Sequence, residues 1–174
     1  MSQPLHRQLT IVTALCLALT ACVVIPIRAT DLGPTRSWPA SATCPTPARS
    51  AANAPRLVAL MNAERSKAHL APLTLSPALS GVSHAYACEL AARGDINHRG
   101  TDGSSVTERL RRGGISASTV AENTASGQRS PEAVMAGWMA SPHHRANILR
   151  PNVSRVGLGQ ADGAQPVWVT DFAS

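Results

Sequence analysis

The chain has 174 residues, of which 44% are hydrophobic, 15% charged and 3% aromatic; that is apolar mass for one packed domain plus extra segments, and too little charge for a disordered polyelectrolyte. The formal charge is +6, and from Asp31 onward 14 Lys+Arg face 10 Asp+Glu, which leaves +4. A basic surface favours anionic partners such as phospholipid headgroups or acidic wall polymers, but no basic run is interleaved with aromatics, so no nucleic-acid partner is expected.

The chain opens with Arg7 and no acid, followed by the apolar, uncharged stretch from Thr10 to Cys22. A positive start and an apolar stretch shorter than a membrane span read as an export leader over residues 1–29. Leu19-Thr20-Ala21-Cys22 resembles a bacterial lipobox, in which Cys22 is lipidated and becomes the mature N-terminus. Because Val23, Val24 and Ile25 follow at once, two other readings stay open: cleavage near Ala29, or an uncleaved anchor from Ile11 to Ile27. Each makes the protein extracytoplasmic, and two of them attach it to a membrane. Cys44 and Cys88 remain outside the leader. In an oxidising compartment they are expected to pair, against the alternative of two free thiols.

Residues 30–54, with Pro34, Pro39, Pro45 and Pro47, read as an extended Pro/Ser-rich linker. Regular patterning starts near Pro55 and defines a domain over residues 55–174. Leu57, Leu60, Met61 and Ala68 share one face of a first helix. Three Ser-Pro steps, at Ser76, Ser130 and Ser141, each pair an N-cap with proline at the first helical position and predict helices from Pro77, Pro131 and Pro142. Ser105-Val106-Thr107-Glu108 is a capping box, and Gly113-Gly114 ends that helix. The helix from Pro77 shows Leu79, Val82, Tyr86 and Leu90 on one stripe, leaves His84 towards the surface, and ends near Gly94. Arg109, Arg111 and Arg112 read as a basic helix end. Val153 to Gln160 and Val167 to Phe172 flank a turn and predict a terminal hairpin. Helices followed by paired strands make an α+β domain.

Several segments then fall together. They are Leu60-Met-Asn62-Ala-Glu-Arg65, the run from Ala87 to Asn97-His98, Ala121-Glu122-Asn123, Trp138-Met-Ala-Ser141-Pro-His143-His144-Arg-Ala-Asn147, and Gly157-Leu-Gly159 before a strand holding Trp168. Their order resembles the bacterial branch of the CAP superfamily (cysteine-rich secretory proteins, antigen 5, pathogenesis-related 1) over about Pro55 to Ser174. The resemblance implies an α-β-α sandwich with a central antiparallel sheet between helical layers. It also implies a cleft formed by His98, Glu122 and His144. Asn62, Arg65 and Asn123 are supporting candidates. Many members outside bacteria carry a second glutamate three residues after the tryptophan; that position is Ser141 here, so the fourth group is missing. His143 adds an imidazole near the cleft.

Two imidazoles and a carboxylate are donors for zinc or another divalent cation, and an open coordination position would activate water. A hydrogen-bonded His–Glu–His cluster without metal fits the same residues. There is no His-Glu-x-x-His helix signature and no Gly-x-Ser-x-Gly elbow. Three functions follow: a non-enzymatic module binding a lipid, a cell-wall component or a protein partner; a metal-dependent hydrolase of wall or peptide substrates; or a structural envelope protein. The missing second glutamate favours the first and third.

Overall fold

A computed structural model describes residues 44–174. The leader readings, Cys22 included, and most of the linker lie outside the described residues. The elements run α1 (Ser50–Lys67), β1 (Thr74–Leu75), α2 (Pro77–Arg93), α3 (Val106–Arg112), β2 (Val120–Ser126), α4 (Pro131–Ala140), α5 (Pro142–Ile148), β3 (Arg155–Asp162) and β4 (Pro166–Ala173).

Helix starts follow the Ser-Pro logic closely. Ser76 accepts from the Leu79 amide and Ser130 from the Ala133 amide. Ser105 and Glu108 form the reciprocal capping box. Ser141 differs, because its side chain makes no capping bond. It ends α4 and starts α5 at once, its amide donating to the Trp138 carbonyl while its own carbonyl accepts from the Arg145 amide. Gly94 closes α2 in the left-handed region at φ 71°. At the end of α3 the left-handed residue is Gly114, not Gly113. Helix α1 begins at Ser50, earlier than the proline suggested. Ala51, Ala52 and Ala54 are strong helix formers, and the helix runs through Pro55, which contributes no amide to the ladder.

The sheet order is β1-β3-β4-β2. The three long strands are antiparallel, with Glu122 opposite Asp171 and Gly157 opposite Asp171 on its other side. The sheet is not wholly antiparallel: the two-residue edge strand β1 runs parallel to β3. Strand alternation sorts the two faces. Val156, Leu158, Trp168 and Phe172 pack with Leu57, Met61, Val134, Trp138 and Ile148 from α1, α4 and α5. Ala161, Val167 and Val169 pack under Tyr86, Ala87 and Leu90 of α2, and Ala173 under Leu79 and Leu110. Helices therefore cover both faces, giving the sandwich.

Gly157 and Gly159 explain how α2 comes so close to the sheet. A Cβ on Gly157 would collide with Leu79 and Ser80, and one on Gly159 with the backbone of Ser83 and His84. Neither clash has a flexible side chain to yield. Gly81, on the exposed side of α2, faces open space. Gly159→Ala should therefore destabilise by about 1–3 kcal/mol through overpacking, while Gly81→Ala should be neutral or stabilising by up to about 1 kcal/mol. Urea unfolding of both variants checks the contrast; equal effects would refute the close-approach account.

Candidate functional site

Edge strand β2 carries the site. Glu122 points to the α2/α3 side, where its side chain is 2% exposed. One oxygen accepts from His98 Nδ1 at 2.8 Å. The other is ion-paired with the Arg109 guanidinium, which is fully buried. Arg109 also donates to the Ser104 carbonyl at 3.0 Å and the His98 carbonyl at 3.4 Å, and its Cζ lies 3.6 Å from the Tyr86 ring centroid. The Tyr86 hydroxyl donates to the Asn97 carbonyl at 2.9 Å; burial, reinforced by the Glu122 charge, pushes this hydroxyl's pKa up. Arg109 thus holds both the carboxylate and the loop that presents His98. It is no surface helix-end cation: its position on α3 turns it inward, while Arg111 stays exposed.

His144 arrives from the opposite layer. Helix α5 is tied to β2 by two amides. Asn123 Nδ2 donates to the His144 carbonyl at 3.1 Å, and Asn147 Nδ2 donates to the Glu122 carbonyl at 3.1 Å and to Asn123 Oδ1 at 2.9 Å. The His144 ring leans on Trp138 with centroids 6.4 Å apart. Burial lowers the His144 pKa, with the charges of His98 and His143 adding to the effect. Its folded pKa lies below its unfolded one, so the stability contributed by the neutral ring is present above about pH 6.5 and lost as pH falls through the folded value. His143 is exposed and Ser141 half-buried.

The expected three-ligand set does not assemble. Among the described residues, the one trio of His, Cys, Asp or Glu donors lying within 4.8 Å of one another is Cys44, His84 and Cys88. The cysteines of that trio form a disulfide, as the cysteine pairing suggested. At the cleft, both Glu122 oxygens are engaged and a buried guanidinium abuts one of them. Glu122 orients His98 instead of offering a free donor, so two imidazoles remain and the N, N, O centre does not fit.

Asn62 and Arg65 serve elsewhere. Asn62 bonds both the amide and the carbonyl of Leu73. Arg65 is fully buried and donates to the carbonyls of Ala71, Ile148, Arg150 and Val153, locking the segments after α1 and α5. Neither touches the imidazoles.

Besides Arg109, read from sequence as a helix-end cation, one more site residue escaped the sequence reading. Asp171 is fully buried on central strand β4, beside Glu122, with Oδ2 accepting from Ser83 Oγ at 2.8 Å. Burial, then the Glu122 charge, raises its pKa well above the usual carboxylate range. The available signal was alternation: an acid between Thr170 and Phe172 in a core strand must face one helical layer.

A family model described as CAP, cysteine-rich secretory protein family, matches residues 58–172. The chain belongs to the CAP family. A curated relative, the uncharacterized protein YkwD of Bacillus subtilis, is 34% identical over 130 residues, covering 75% of this chain and 50% of that protein; the chain spans about half the length of that relative. Two solved structures share the CAP-domain fold at 21% identity and TM-score 0.67. An outer surface protein from Borrelia burgdorferi covers 72% of this chain and 94% of its own. An extracellular protein containing an SCP domain from Bacillus anthracis covers 75% and 45%.

In this CAP domain burial, with the Glu122 charge beside it, favours the protonated form of Asp171. Its raised folded pKa means that stability is highest below about pH 4 for this group and falls as pH rises towards the folded value. Asp171→Asn should abolish that slope. Urea unfolding from pH 4 to 8 should show the variant gaining on the wild type as pH rises. A variant that loses ground instead would make Asp171 an anion paired with Arg109.

Proposed function

We propose that the protein is an extracytoplasmic, non-enzymatic CAP-domain module that binds an anionic envelope lipid. The observation that carries the non-enzymatic part is the saturation of Glu122 by His98 and Arg109. A hydrolase of this type needs a free carboxylate or an open metal position to activate water. Support for the location comes from the leader, with Cys22 as the lipidation candidate, and from structural relatives named as an outer surface protein and an extracellular protein.

The lipid reading rests on a groove of about 320 Å³ between α3 and the start of β2, with Leu110, Ile115, Ala117 and Val120 among its walls and Arg111 at its rim. Its volume lies within the range of small-molecule sites. An apolar wall beside a cation suits an acyl chain below an anionic headgroup, and the domain's net positive charge acts in the same sense.

The test is sedimentation of residues 44–174 with phosphatidylcholine vesicles, with and without phosphatidylglycerol. Binding should require phosphatidylglycerol and should fall at least tenfold with Arg111→Glu and with the groove-filling Ala117→Trp. Lys67→Glu, the same charge change on α1, should have a smaller effect. Equal losses for both charge variants would leave only diffuse attraction. Chelator-sensitive hydrolysis of wall fragments, abolished by His98→Ala, would replace this reading with the metal-dependent hydrolase.

A further inference from the structure

At the N-terminal edge of the described domain a second set of donors converges, separate from the imidazole face. His84, expected on the surface, is half-buried against the Cys44–Cys88 bridge. Both ring nitrogens face carbonyl oxygens: Nδ1 lies 2.8 Å from that of Gln160 and Nε2 lies 3.0 Å from that of Cys44. A neutral imidazole carries one proton, so one lone pair is left facing an acceptor. The shorter contact takes the proton. Nε2 is then an unprotonated nitrogen held 3.0 Å from the Cys44 carbonyl oxygen, with the Thr46 hydroxyl placed to donate to it at 3.1 Å and Cys88 Sγ at 3.7 Å. A cation bound at Nε2 relieves the contact with that carbonyl. An imidazole backed by a carbonyl, with its other nitrogen towards sulfur, is also how proteins orient a metal-binding histidine.

We infer that Cys44, His84 and Cys88 form a redox-gated zinc(II) site, closed while the disulfide is intact and opened when a dithiol reduces it. The dithiol gives two electrons and two protons to the bridge and itself becomes a disulfide. The two cysteine thiols then lose their protons to solvent as their thiolates bind the ion. Zinc bond lengths of about 2.3 Å to sulfur and 2.0–2.1 Å to nitrogen, at a tetrahedral angle, place those donors about 3.6 Å apart. The Cys88–His84 separation already matches that spacing. The amide of Cys44, 3.1 Å from Cys88 Sγ, is placed to donate to its thiolate. The fourth position is open to Thr46 or water.

The site survives reduction because Cys44 is held by more than its bridge. Pro47 is buried, Arg49 is ion-paired with Asp162, and Asn53 donates to Gln160 Oε1 at 3.2 Å. These contacts anchor the start of the domain to the end of β3.

The experiment uses the full chain in mild detergent, carrying Cys16→Ser and Cys22→Ser so that the pair alone reports. One sample stays oxidised; the other is reduced with dithiothreitol, which is then removed anaerobically. Zinc is titrated by calorimetry and cobalt(II) by its thiolate charge-transfer absorption. The reduced protein should bind one equivalent and show the thiolate band, with its near-ultraviolet circular dichroism retained. The oxidised protein should bind none at this site, and reduced His84→Ala should bind at least tenfold more weakly. No stoichiometric binding after reduction, binding indifferent to His84→Ala, or loss of the tertiary signal on reduction would each overturn the inference.

Discussion

The buried ion pair between Arg109 and Glu122 governs the arrangement of the cleft. Taking both charges from water is costly, and the cost is offset only where each finds several partners. Arg109 finds the carboxylate, two loop carbonyls and the Tyr86 face. Glu122 finds the guanidinium and His98. Helix α3, strand β2 and the loop after α2 are thereby bound to one point, and the single exposed element of that point is an imidazole. Asp171, beside the pair on the next strand, has its pKa raised by burial and then by the Glu122 charge, which outweigh the pull of Arg109 and of the Ser83 hydroxyl.

The same constraint takes Glu122 out of any direct ligand set at the cleft. A carboxylate that neutralises a buried arginine has little left to give a cation. Its second oxygen fixes the His98 tautomer and leaves Nε2 outward. His144, held by the Asn123 and Asn147 amides, belongs to the other helical layer. The cleft is therefore a pair of imidazoles mounted on either side of an edge strand.

Much of the fold was legible in local signals. Serine caps, the capping box and the left-handed Gly94 are short-range events that depend on neighbours in the chain, so sequence shows them directly. Motif order singled out His98, Glu122 and His144; the structure joins His98 to Glu122 and holds His144 through its carbonyl on Asn123. Arg109 and Asp171 were not legible in this way, and Arg65 was singled out by motif without its burial, because the partners of all three are carbonyls, charges and a hydroxyl distant in the chain. A charged residue reads as exposed until the fold supplies those partners. His84 was misplaced for a related reason: the segment that covers it looked like linker, although Asn53 and Arg49 pin it to β3.

A double-mutant cycle across Arg109 and Glu122 tests the central constraint most directly. Unfolding free energies would be measured for Arg109→Met, Glu122→Leu and the pair together. Each single change strands a buried charge and should cost about 3–5 kcal/mol, while the double variant should recover most of that loss. Additive losses, or single variants as stable as the parent, would contradict a cleft organised around this pair.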